Sequence, residues 1–177
     1  MDYRVLIKHL AIPHRAGTAF WQLMSAGQDV LPAVRLGLRH TNSDVRYYCC
    51  SILDRYLSPD TIDDLIGMLG DPDIRVRCAA LHALACDRCK EGECRPQASA
   101  VLPISVRLLA NDPSPHVRAM AVEVVGQWVH INDLAENALV VSRNTDPSPM
   151  VRKKAGWYAP GGTIYARTAA KARASSS

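Results

Sequence analysis

Aromatic side chains are scarce in this sequence. Phe, Tyr and Trp make up 6% of the 177 residues, with a single phenylalanine among them. Sheets lean on aromatic and β-branched side chains, so this shortage, set beside abundant Ala, Leu and Val, points to helices packed on helices. Long apolar runs are missing as well. No stretch approaches the roughly 18 consecutive apolar residues that span a bilayer. The amino end, MDYRVLIKHLAIPHRAG, is interrupted by Lys8 and His9 and lacks a small-residue cleavage site after a continuous apolar core. A secretory leader is therefore not expected, and the chain reads as soluble and cytoplasmic, without a membrane association. In a reducing compartment its six cysteines would be thiols or metal ligands and not disulfides.

Catalytic constellations are also lacking. There is no glycine-rich phosphate loop, Gly161-Gly162 after Pro160 reads as a breaker, and no paired carboxylate site stands out. His9, His14, His40, His116 and His130 fall near helix ends or turns, where capping or surface roles are expected. Acids vanish from residue 152 onward, a stretch that holds Arg152, Lys153, Lys154, Arg167, Lys171 and Arg173. The body is then slightly acidic and the tail strongly basic, so the overall pI argues little for a nucleic-acid-binding body.

What the sequence does contain is a repeat. HTNSDVRYYCCSIL from His40, GDPDIRVRCAALHAL from Gly70, NDPSPHVRAMAVEVV from Asn111 and TDPSPMVRKKAGW from Thr145 align on a Val-Arg pair. The arginines Arg46, Arg77, Arg118 and Arg152 lie 31, 41 and 34 residues apart, the spacing of a stacked array. In three copies an Asp-Pro step precedes the arginine (Asp71-Pro72, Asp112-Pro113, Asp146-Pro147). Pro ends one helix, and Asn42, Asp73, Ser114 or Ser148 is placed to cap the next. Pro115 and Pro149 fall in the first turn, where a missing N–H costs nothing. Each copy is thus a helix, a tight turn and a second helix. The second helices bury Cys49, Cys50 and Leu53; Ala80, Leu81 and Leu84; Ala121, Val122 and Val125. The first helices are expected to bury Ile62, Leu65, Ile66 and Leu69, and Ile131, Leu134, Ala135 and Ala138. A pair alone leaves its apolar face open, so the pairs must stack.

The Asp-Pro turn followed by a Val-Arg-x-x-Ala helix resembles the HEAT repeat family over about residues 27 to 156. The first copy departs from it with Thr-Asn in place of the Asp-Pro step, and the periods match the short bacterial HEAT-like units more than full-length ones. The resemblance implies an all-α solenoid of about four antiparallel pairs over residues 1–158. Residues 14 to 26, with Phe20, Trp21, Leu23 and Met24, would form an amino-terminal capping helix, and 159–177 a disordered basic tail rich in Ala and Ser. It also implies that turn aspartates and second-helix arginines form a structural ladder.

One cluster breaks the pattern. CDRCKEGEC, residues 86 to 94, lies in the longest connection of the array. On a helix advancing ~100° per residue, His82 and Cys86 fall about 40° and about 80° from Cys78, away from the apolar face of Val76, Ala80, Ala83 and Leu84. Gly92 permits a turn that brings Cys94 back. His82, Cys86, Cys89 and Cys94 then form a three-thiolate, one-imidazole set suited to a closed tetrahedral zinc site, with Cys78 as a substitute for His82. The competing reading is solvated thiols at a helix end. A redox role ranks behind both, because a helix C-terminus disfavours thiolate.

For function, the family resemblance implies a protein-interaction scaffold that presents Tyr47, Ser51, Arg55, His82, Glu123, Gln127 and Lys153 on its second helices to an unknown protein partner. The alternative is a nucleic-acid-binding, repair-like module that uses the basic carboxyl end with Trp128, Trp157 and Tyr158. Resemblance to the short units of bilin lyases also brings in a lyase or chaperone for a protein-attached cofactor, which no residue here supports. The sequence suggests no cofactor besides zinc.

Overall fold

The computed structural model describes residues 2–86 and 94–174, with the backbone alone for 170–174. All regular structure among the described residues is helical, and no helix there is long and apolar enough to cross a membrane. The chain divides into two compact units, 1–96 and 97–177.

The first unit holds α1 (Tyr3–His9), α2 (Pro13–Ser25), a short 3-10 turn (Gly27–Val30), α3 (Leu31–Gly37), α4 (Ser43–Leu53), α5 (Pro59–Met68) and α6 (Ile74–Ala85). The capping segment is α2, whose Leu23 is fully buried while Trp21 stays largely exposed. The second unit holds α7 (Ala98–Asn111), α8 (Pro115–Gly126), α9 (Asp133–Thr145), α10 (Pro149–Tyr158) and α11 (Thr163–Ala174). Within the units, second helices lie side by side, α4 against α6 and α8 against α10.

The repeat is held at its turns by the same bonds four times. Arg46 Nη1 donates to the carbonyls of His40 and Thr41 (2.8 and 3.0 Å), and Arg77 Nη1 to those of Asp71 and Pro72 (2.8 and 3.2 Å). Arg118 and Arg152 do likewise with Asp112 and Pro113, and with Asp146 and Pro147. The carboxylates of Asp71, Asp112 and Asp146 accept from the N–H two residues on, at 2.8 to 2.9 Å. Where the first copy lacks aspartate, His40 Nδ1 accepts the Asn42 N–H at 3.0 Å, so the turn survives the substitution. The rungs are two-pronged. Arg46 reaches Asp71 of the next copy through Nε (2.6 Å) and Nη2 (2.9 Å), and Arg118 reaches Asp146 at 2.8 and 3.0 Å. Such fork-on-carboxylate pairs are geometrically specific. Burial pushes the Asp146 carboxyl up, but the Arg118 bond, the Ser148 N–H and the nearby arginine charges together hold it below the usual range. Arg46 and Arg118 are thus structural, as the ladder implies.

Three expectations need correction. Ser114 and Ser148 occupy N-cap positions in extended backbone, yet their hydroxyls make no capping bond, whereas Asn42 and Asp73 do. With proline at the first helical position, one of the orphan donors there is already gone. The buried face of α9 is Ala135, Leu139 and Ser142; Leu134 and Val141 lie on its exposed side, and Ile131, in the turn before the helix, is exposed as well. Of the expected set only Ala135 is fully buried, because two apolar stripes run along this helix and Ser142, being small, fits the packed one. Finally, the tail is helical from Thr163 to Ala174. The Tyr165 ring meets that of His130 at a tilt of 49° with centroids 4.4 Å apart, and His130 Nε2 lies 2.8 Å from Thr168 Oγ1, contacts that composition does not encode.

Candidate functional site

Along α4, the outward residues are Tyr47 and Ser51, both half-buried; the exposed Arg55 follows just past its carboxyl end. Tyr47 meets Tyr48 edge-on at 5.3 Å, and Tyr48 meets Phe20 of α2 at 5.5 Å. Arg55 lies over the Tyr56 ring at 6.0 Å. In the second unit Glu123 is engaged by Lys154 Nζ at 2.5 Å, Gln127 is exposed, and Lys153 sits over the Trp157 ring at 5.7 Å. Trp157 and Met150 on α10 are about two-fifths exposed, at 41% and 42%.

The cysteines divide sharply by environment. Cys49 and Cys50 are fully buried on α4; burial pushes both thiols up, that of Cys50 to about 12, so they are packing residues. Cys78 and Cys86 are half-buried along α6, and Cys94 is half-buried with Arg95 Nη1 donating to its own carbonyl. None of the described cysteines forms a disulfide. Cys89 lies outside the described residues.

Of the expected zinc set, His82 and Cys86 come together at the carboxyl end of α6, where the Cys86 N–H donates to the His82 carbonyl at 2.8 Å. The structure adds a donor that the sequence reading missed. Asp54, at the carboxyl end of α4, places a carboxylate oxygen 3.5 Å from His82 Nε2. One donor atom from each of Asp54, His82 and Cys86 lies within 4.8 Å of the other two, a spacing at which the three could share a metal ion. Asp54 is buried, His82 exposed and Cys86 intermediate, so the group opens to solvent on one side.

Helix pairs repeated through arginine-capped turns and Arg-Asp rungs define a protein of the α-solenoid class. Two family models match it, HEAT repeats over residues 31–103 and HEAT repeat over 101–131, together more than half of the chain. The chain belongs to the HEAT repeat family. Among solved structures it is similar to a chain from the complex of CpcE and CpcF of phycocyanin lyase from Nostoc sp. PCC7120. That match has a TM-score of 0.68 at 23% identity, covering 86% of this chain and 95% of that one. It is also similar to a designed armadillo repeat protein in complex with the peptide (KR)4, with a TM-score of 0.54 at 19% identity over 89% and 80% of the two chains. At these identities the likeness concerns the fold alone. A search of curated proteins finds no matching sequence.

Proposed function

We propose that the protein is a scaffold that binds another protein through the outward faces of its second helices. The observation that carries this reading is the chemistry of those faces: Tyr47 on α4 with Arg55 just past its end, and Trp157 beside Lys153 on α10. Trp, Tyr and Arg are the residue types in which interface binding energy concentrates. Ser51, Glu123 and Gln127 supply the polar surround. Both similar structures were determined with a bound protein or peptide, which supports a protein partner. A structural zinc ion held by the 82–94 segment is the second part of the reading; it would pin the chain where the connection between the second and third copies begins.

The test is site-specific photo-crosslinking in the native host extract. A crosslinker at position 47 or 153 should capture one defined protein, and the yield should fall at least several-fold in Arg55→Ala and Trp157→Ala backgrounds. Equal capture from positions 63 and 107, on the first helices, would count against a second-helix interface. Tight, steeply salt-dependent binding to short duplex or single-stranded DNA would favour the nucleic-acid alternative.

A further inference from the structure

We infer that Asp54, His82 and Cys86 form a zinc site that clips the carboxyl ends of α4 and α6 together, with the fourth coordination position open to solvent. This rests on the zinc reading above and changes its donor set: the carboxylate comes from the neighbouring repeat, so the metal joins two repeats instead of closing a loop on itself.

Three observations converge. The first is the donor chemistry. A carboxylate, an imidazole and a thiolate suit zinc, whereas calcium and magnesium take oxygen donors. The Asp54 carboxylate and the Cys86 thiolate would together neutralise the two charges of the ion, the thiol proton leaving to solvent. Distance is the second. With Zn–N and Zn–O of ~2.1 Å and Zn–S of ~2.3 Å, donors at neighbouring corners of a tetrahedron lie about 3.3 to 3.8 Å apart. His82 Nε2 and Asp54 Oδ2, at 3.5 Å, already span such an edge, and they are farther apart than the ~2.7 to 2.9 Å of a strong charge-assisted hydrogen bond. The Cys86 sulfur lies within 4.8 Å of both other donor atoms. Position in the fold is the third. Asp54 is the C-cap of α4 and Cys86 the C-cap of α6, so the negative ends of two helix dipoles meet at this group. That field favours a cation.

The experiment uses the untagged 177-residue chain, stripped with chelator, kept reduced with a phosphine and titrated with Co²⁺ and Zn²⁺. The expected result is one metal per chain, a near-UV thiolate-to-cobalt band, and a Tm that rises with zinc and falls again with chelator. Asp54→Asn and His82→Gln should each weaken binding at least ten-fold. Cys86→Ser should abolish the charge-transfer band, and Cys78→Ser should leave it intact. Circular dichroism of each apo variant separates loss of metal from loss of fold. Absence of any bound metal would overturn both this site and the zinc reading. Metal retained in Asp54→Asn but lost in Cys89→Ser would overturn this site while leaving zinc in the 82–94 segment.

Discussion

The pairs α4/α6 and α8/α10 are built alike at one end and differently at the other. At the turn end, Arg46 grips Asp71 as Arg118 grips Asp146, with the spare Nη1 on turn carbonyls in both. At the opposite end, the positions of Asp54, His82 and Cys86 relative to their repeat arginines are filled in the second pair by Gly126, Trp157 and Gly161. There the Tyr158 ring occupies the space where a Gly126 side chain would be, and none of these three positions carries a carboxylate, imidazole or thiol. The lesson is that the repeat constrains its turn, while the far end of each second helix is left to be specialised. In one unit it gathers donors and in the other it packs an aromatic ring.

The largest expected effect lies at the shared end. Side chains of Arg46 and Asp71 are 12% and 4% exposed, those of Arg118 and Asp146 10% and 5%, so either pair, if broken from one side, leaves a buried charge. Arg46→Met and Arg118→Met should each cost about 3 to 5 kcal/mol in urea denaturation. Similar losses would support one joint built twice; a large difference would break the comparison. The second effect belongs to the differing end. Gly126→Ala must displace the Tyr158 ring and should cost about 1 to 3 kcal/mol, seen as a lower urea midpoint.

The acid limb of stability should be smaller, and its sign follows from the depressed carboxyls. Asp146 is held low mainly by Arg118 against the opposing effect of burial, and Asp73 is held well below the usual range by its bond from Arg75. Their ionised forms are favoured by folding, so this contribution is complete above the ordinary carboxyl value of about 4. It is lost as pH falls through the lower folded values. Urea midpoints should therefore be flat near neutrality and fall below about pH 4, less steeply in Asp146→Asn.

Most of the fold could be read from the Val-Arg alignment because the turn and its arginine are local: their bonds span five or six residues, within a single motif. The face that α9 buries could not be read that way. Ile131, Leu134 and Ala138 outline as good an apolar stripe as Ala135 and Leu139, and only the helices packed against α9 decide between them. Asp54 was missed for a similar reason. It lies on a different repeat from His82, and in sequence it is an unremarked acid after the apolar Ile52-Leu53. A signal did exist: laying the repeats over one another puts Asp54 and Cys86 at the same helix end, each just past the last turn. The cysteine loop drew attention toward neighbours in sequence, and the neighbour in space was on the preceding second helix.

Hydrogen–deuterium exchange with and without one equivalent of zinc tests the specialised end most directly, because α8/α10 serves as an internal control. A zinc clip should slow exchange only at the carboxyl ends of α4 and α6, with α8 and α10 unchanged and the α4/α6 effect lost in Asp54→Asn. Unchanged exchange in α4, or protection spread equally over both pairs, would contradict it.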